Sequence, residues 1–177
     1  MPKHAYTMSA NGNTKGVKNQ PDKTRKNAMI KILFICHGNI CRSPMAEYVM
    51  KDMVKKAGFE DKIVVASAAA HTDEIGSPVY PPVRKLLNDA GIDCSSHAAR
   101  LLRPSDYQEF DLLIGMDEEN ICDMRRLYHN DPEGKIKKLP EYYGSSADVA
   151  DPWYTRDFAK TWEEINLGCK MLLKSIT

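Results

Sequence analysis

The chain has 177 residues, 42% hydrophobic and 28% charged, which suits one globular domain with a real core. Its net charge of +1 is uneven: residues 1–28 carry six Lys/Arg against Asp22, hence +5, and the remainder is −4. A mildly acidic body argues against nucleic-acid binding, and no apolar stretch approaches the ~20 residues of a membrane span.

Residues 1–28 are polar and offer almost nothing to bury. They read as a mobile basic tail without the apolar segment of a secretory signal, ahead of a domain over 29–177. The five cysteines (Cys36, Cys41, Cys94, Cys122, Cys169) are odd in number, include no CxxC and show no zinc-type spacing. That pattern implies a reducing compartment, hence a cytoplasmic protein.

Ile30 to Ile35 is apolar except at Lys31 and reads as a parallel strand buried on both faces. A loop, Cys36-His37-Gly38-Asn39-Ile40-Cys41-Arg42-Ser43, follows it. A helix from about Pro44 to Ala57 comes next, with apolar residues at 45, 46, 49, 50, 53, 54 and 57, Ser43 as N-cap and Gly58 after its end. Lys62 to Ala66 reads as a second strand, Pro82 to Ala90 as a helix, and 92–110 as irregular with a short helix begun by Pro104-Ser105-Asp106. Asp111 to Met116 is a third strand, Asp117 caps a helix to about His129, and Lys135 to Leu139 is a weak fourth strand. A long loop over Pro140–Thr155 and a last helix from Phe158 to about Leu173 complete the chain. Strands alternating with helices imply an α/β domain with a parallel sheet.

A strand, a tight loop and a helix N-terminus aim backbone N–H groups at an anion. A cysteine opening that loop and an arginine closing it allow phosphate to be both bound and attacked. The thiolate is the attacking form, and oriented amides, a helix N-terminus and a guanidinium all favour it. Gly38 allows a positive φ and close backbone approach. Arg42 offers a planar fork for two phosphate oxygens, Ser43 can hydrogen-bond the thiolate, and Asn39 can hold a strained loop. Cys-x5-Arg alone is weak: with five cysteines and eight arginines, chance supplies roughly 0.2 copies per chain. The chain in fact holds a second copy, Cys94 to Arg100, which lacks the strand, the glycine, the following Ser/Thr and the amphipathic helix, and reads as unrelated coil.

Cys36 to Pro44 resembles the phosphate loop of the low-molecular-weight protein tyrosine phosphatases. The resemblance covers about 30–175, with Met116-Asp117-Glu118 and Asp151-Pro152 as further landmarks. It implies a four-stranded parallel sheet flanked by helices on both faces, with the phosphate loop after the first strand. It also implies a phosphocysteine intermediate on Cys36 and neither metal nor cofactor. Asp151, followed by Pro152, Trp153 and Tyr154, then matches the general acid. Asp131-Pro132 is a rival without following aromatics, and Asp148 reads as a solvated loop acid. Asn39, Ser67 and His97 match the family's loop-supporting network, with Ser67 placed just after the second strand. Ile40, Trp153 and Tyr154 would wall the pocket for a phenyl ring; relatives with Thr at the Ile40 position look like arginine phosphatases.

His37 makes the loop look bacterial. The segment near Asp73 lacks an aromatic at the pocket mouth, which suggests weak discrimination or a preference against acidic flanks. A reversible Cys36–Cys41 disulfide would shield the nucleophile from irreversible oxidation, making the protein redox-sensitive. The implied partners are phosphotyrosine proteins, with a cognate tyrosine kinase among them, and the implied assembly is a monomer or weak dimer. A thioredoxin-linked arsenate reductase would need two further cysteines close together, whereas Cys94 and Cys122 are far apart in sequence. A non-catalytic phosphoprotein-binding module would need neither the cysteine nor the Asp-Pro.

Overall fold

The alternation of side chains along the first strand decides the layers. In the computed structural model, which describes residues 29–177, β1 spans Ile30–Cys36. Ile32 and Phe34 face one apolar cluster, Leu33 and Ile35 the other, and all four are fully buried. A strand apolar on both faces requires cover on both. Helices α1 (Arg42–Lys56), α2 (Pro81–Asp89) and α6 (Phe158–Ile176) supply one layer. Helices α3 (Asp106–Glu109) and α4 (Glu118–Leu127) supply the other. Ile165, Cys169 and Leu172 of α6 are completely buried against the first cluster. Each Ile or Leu buried in this way is worth about 1.5–3 kcal/mol.

The other strands are β2 (Ile63–Ala69), β3 (Leu112–Gly115) and β4 (Ile136–Lys138). Their order is β2-β1-β3-β4 and every pairing is parallel, as the sequence predicts. After β2 the chain passes β1 and adds β3 on the far side. Connections therefore diverge beyond the C-terminal ends of β1 and β3, which is where such sheets hold ligands.

Several boundaries differ from the sequence expectation. β2 runs to Ala69 rather than ending at Ala66, because Ser67, Ala68 and Ala69 pair with Phe34, Ile35 and Cys36. Tertiary pairing overrides the low strand preference of alanine there. Helix α1 begins at Arg42, two residues early, so Ser43 lies inside it and is not its N-cap. Cys41 holds that position without a side-chain capping bond. The segment after β4 is not a featureless loop: it holds a 3₁₀ turn over Leu139–Tyr143 and the short helix α5 (Pro152–Thr155). The close seat of α6 on that turn requires Gly168, where a Cβ would meet Leu139 Cγ at 2.5 Å. Helix α6 itself continues to Ile176, past the expected end. Among the described residues no helix is long and apolar enough to cross a membrane. The expected basic tail, residues 1–28, lies outside the described residues.

Candidate active site

β1 delivers Cys36 to the sheet edge, where it is 3% exposed, and the chain turns at once into α1. The positive φ of the turn falls on Asn39, at 58°, and not on Gly38. Gly38 is closely approached instead: a Cβ there would stand 3.2 Å from Glu74 Cγ, so the Glu74 side chain would have to give by a few tenths of an ångström.

Asn39 carries its strained conformation because all its side-chain polar atoms are used. Its Nδ2 donates to Ser43 Oγ at 2.9 Å and to Ser67 Oγ at 2.7 Å, and its Oδ1 accepts from Arg100 N at 3.1 Å. Ser67 lies within β2 rather than beyond it, and its hydroxyl donates to Glu47, a buried acid that also pairs with Lys51. Ser43 Oγ accepts from Asn39 and lies 3.0 Å from Cys36 Sγ, where its hydroxyl can donate to a thiolate. The imidazole of His97 donates from Nε2 to the Asn39 carbonyl at 2.8 Å. Asn39, Ser43, Ser67 and His97 thus meet in one network. Glu47 was not anticipated, since a Glu on a helix is ordinarily solvated.

Arg42 is also 3% exposed. Its Nη1 donates to Asp117 Oδ2 at 2.6 Å and its Nη2 to Asp151 Oδ2 at 2.8 Å. Burial opposes its charge, but Cys36, Asp151 and Asp117 outweigh burial and hold its pKa above the ordinary arginine value. Both aspartates are helix N-caps. Asp117 Oδ1 accepts from Asn120 N at 2.8 Å at the start of α4. Asp151 Oδ1 accepts from Trp153 N at 3.0 Å at the start of α5. Each caps its helix with one oxygen and holds Arg42 with the other. The bond from Val149 N to Met116 O, 2.8 Å, seats the Asp151 segment beside the end of β3.

Cys36, Arg42, Asp151, Ile40, Trp153 and Tyr154 line a cavity of about 240 Å³, with His37, Gly38, Cys41, Asp73 and Glu74 completing its wall. Ile40 is buried, Trp153 is 43% exposed and Tyr154 82%. Trp153 stands edge-on to Tyr80 with ring centres 5.4 Å apart, and Tyr80 in turn stacks on Phe158. Nothing in the sequence around Tyr80 signals this supporting role. Cys36 and Cys41 are both free thiols. Burial, then the neighbouring Cys36 and Asp151, push the Cys41 thiol up to about 12.

The remaining candidates lie elsewhere. Asp131 accepts from Tyr107 Oη at 2.7 Å and from the backbone of Lys135 and Ile136 at 2.8 and 3.0 Å. Partial burial raises its pKa, but these bonds win and hold it below the ordinary carboxylate value. Asp148 is an exposed loop acid, as expected, and it also pairs with the buried Lys138 at 2.8 Å and accepts from Glu118 N. The second Cys-x5-Arg copy is not unrelated coil: Arg100 N and His97 both bond Asn39.

A thiol, a guanidinium and a carboxyl in one cavity above a helix N-terminus are the components of a two-step phosphoryl transfer. The low molecular weight phosphotyrosine protein phosphatase family model matches residues 31–177. The low molecular weight protein-tyrosine-phosphatase YfkJ of Bacillus subtilis is 41% identical over 150 residues, covering 84% of this chain and 96% of that protein. Its crystal structure superposes with a TM-score of 0.82 at 40% identity, over 85% of this chain and 96% of that one. The low molecular weight phosphotyrosine protein phosphatase 1 of Drosophila melanogaster is 34% identical over 81% of this chain and 95% of its own. The crystal structure of a Streptococcus pyogenes low molecular weight protein tyrosine phosphatase matches at 33% identity with a TM-score of 0.76, over 84% and 94% of the two chains. The chain is a member of the low molecular weight phosphotyrosine protein phosphatase family.

Proposed function

We propose that this protein hydrolyses phosphotyrosine in other proteins through a phosphocysteine intermediate on Cys36. The observation that carries the reading is the convergence of Cys36, Arg42 and Asp151 on one cavity, with Asp151 109 positions after Arg42. The Cys36 thiolate attacks phosphorus, and a sulfur–phosphorus bond forms as the bond to the tyrosine oxygen breaks. Protonated Asp151 gives its proton to the departing phenolate oxygen, a step worth ~10²–10⁴-fold. Asp151 then takes a proton from the water that attacks the phosphocysteine. The sulfur–phosphorus bond breaks and the thiolate returns, accepting a hydrogen bond from Ser43.

Arg42 grips two phosphate oxygens in both steps. In the free site it holds Asp117 and Asp151. An arriving phosphate dianion competes for it and frees Asp151 to turn toward the leaving oxygen. Ile40 and Trp153 supply apolar faces for a phenyl ring, which favours phosphotyrosine over phosphoarginine. Cys94 and Cys169 are buried apart from the cavity and Cys122 is exposed on α4, so none of the three lines the cavity with Cys36, which argues against a cysteine relay for arsenate reduction.

The substrates are cytoplasmic phosphotyrosine proteins, supplied by a tyrosine kinase. Asp73 and Glu74 on the rim disfavour acidic residues beside the phosphotyrosine. Phosphopeptides with basic flanks are therefore turned over several-fold faster at low salt, and equal rates would remove this preference. The central test is hydrolysis of aryl phosphates with EDTA present. Asp151→Asn lowers turnover by about 10²–10⁴-fold, more for phenyl phosphate than for p-nitrophenyl phosphate, whose leaving group needs less protonation. Turnover that survives Cys36→Ser, or that depends on added metal, overturns the mechanism.

A further inference from the structure

The Trp153 ring has little of its own to hold it, since it is 43% exposed and stands on α5, a helix of four residues. A lone ring so placed would sample several rotamers, and a phenyl ligand would have to order it on binding. Two side chains close on it instead. Tyr80 stands edge-on, with ring centres 5.4 Å apart. Arg156, the left-handed residue that ends α5 (φ 59°), carries its guanidinium over the indole, with Cζ 5.6 Å from the ring centre. Arg156 Nη1 also lies 3.5 Å from Tyr80 Oη, at the limit of a hydrogen bond. Each of the three side chains therefore meets the other two.

Tyr80 is itself fixed along the chain. Val79 before it is buried, and Pro81 after it confines the preceding residue to extended backbone, where Tyr80 sits at φ −54° and ψ 134°. Its ring stacks on Phe158 at the start of α6, with centres 6.0 Å apart and planes inclined by 27°. Its backbone N–H donates to the Ile40 carbonyl at 2.9 Å. Ile40 belongs to the phosphate loop and lines the cavity, whereas Tyr80 does not line it. One residue thus grips the phosphate loop with its backbone and the aromatic wall with its ring.

We infer that Tyr80 is a positioning residue that holds Trp153 at a set place relative to Ile40, and so sets how strongly the site prefers a phosphate carried on an aromatic ring. The inference rests on the reading of the cavity as a phosphotyrosine site. Tyr80 acts through Trp153 and not by touching the ligand. A ligand with a ring gains from a wall that is already ordered, because it does not have to order that wall itself. A bare phosphate ion, held by Arg42 and the loop amides, does not need the wall. Loss of the Tyr80 ring is therefore felt by aryl ligands and not by phosphate alone.

The test compares two ligands that are not turned over, benzylphosphonate and inorganic phosphate, by calorimetry on the full chain. Tyr80→Leu should weaken benzylphosphonate about two- to tenfold, the scale of one aromatic pair, and leave inorganic phosphate nearly unchanged. Tyr80→Phe, which keeps the ring, should restore most of the lost affinity. In a Trp153→Ala background Tyr80→Leu should have no further effect, because the pair is already gone. With Trp162→Phe leaving Trp153 as the single tryptophan, fluorescence anisotropy should fall with Tyr80→Leu and not with Tyr80→Phe. Thermal melting checks that each variant is folded. If Tyr80→Leu is not, Phe158→Leu, which removes the ring stacked on Tyr80, stands in with the same expected contrast between the two ligands. Equal losses for both ligands, no loss for benzylphosphonate, an unchanged Trp153 anisotropy, or an undiminished effect without Trp153 overturns the role of Tyr80. A wild-type protein that binds neither ligand and does not hydrolyse p-nitrophenyl phosphate overturns the phosphotyrosine reading itself.

Discussion

Residues 36–42 and 94–100 share a cysteine and an arginine at the same spacing, yet they do different things. In the first, the cysteine ends a strand and the arginine opens a helix, so both reach one cavity. In the second, Cys94 is buried in the apolar core, and burial raises its pKa. Arg100 meanwhile spends its guanidinium on Asp106, which is fully buried. The backbone of the second segment faces inward: Arg100 O accepts from Ala69 N at 2.7 Å while Arg100 N serves Asn39. The spacing is the same; the direction of the amides and the company of the arginine are not. One segment offers its groups to a ligand, and the other offers them to the first segment.

That contrast is sharpest at the paired residues. Cys36→Ser should lower p-nitrophenyl phosphate turnover by about 10⁴-fold or more, as loss of a covalent nucleophile does. Cys94→Ser should leave it within about twofold while lowering stability. Arg42→Lys should cost turnover heavily, because an ammonium cannot replace the bidentate fork. Arg100→Lys should show in the melting temperature and not in turnover. If Cys94→Ser or Arg100→Lys reduced turnover as strongly as their counterparts, the two segments would not be functionally distinct.

A smaller effect is expected where the segments touch. Asn39→Ala removes the bonds to both serines and to Arg100 N, leaving buried groups unpaired at about 1–3 kcal/mol each. It should lower both kcat and the melting temperature, linking the brace to the site. An effect on stability alone would separate them.

The smallest effect is expected far from both segments, at Asp131. Its folded-state pKa is depressed, so its contribution to stability is present above the unfolded value, near 3.8, and is lost as pH falls through the folded value. Asp131→Asn should therefore destabilise the protein at pH 7, and the gap to wild type should narrow below about pH 3.8. Thermal melts across that range, with turnover unchanged at pH 7, would keep Asp131 apart from the catalytic acid. A constant gap would remove its charge from the account.

The loop, the sheet and the Asp-Pro were legible because each rests on local pattern: an apolar run, a turn, a helical period, a fixed dipeptide. Contacts made across the chain were not. Ser43 looked like a cap because its neighbours fit a helix start, but Cys36 and Asn39 recruit it into the network. Glu47 drew no notice because its partner Ser67 arrives from β2. Asp148 is exposed, as expected, but its pairing was not legible because Lys138, 10 positions earlier, gives no sign of being buried. Gly38 looked like the residue in the left-handed region, yet the side-chain bonds of Asn39 let a non-glycine take that place.

The two aspartates on Arg42 bear on more than positioning. A resting guanidinium held by Asp117 and Asp151 is not an open cationic hole. Any anion that enters must displace carboxylates tethered beside it at high effective concentration. An ion that touches Arg42 alone gains less from that exchange than a ligand that also fills the loop and the aromatic wall.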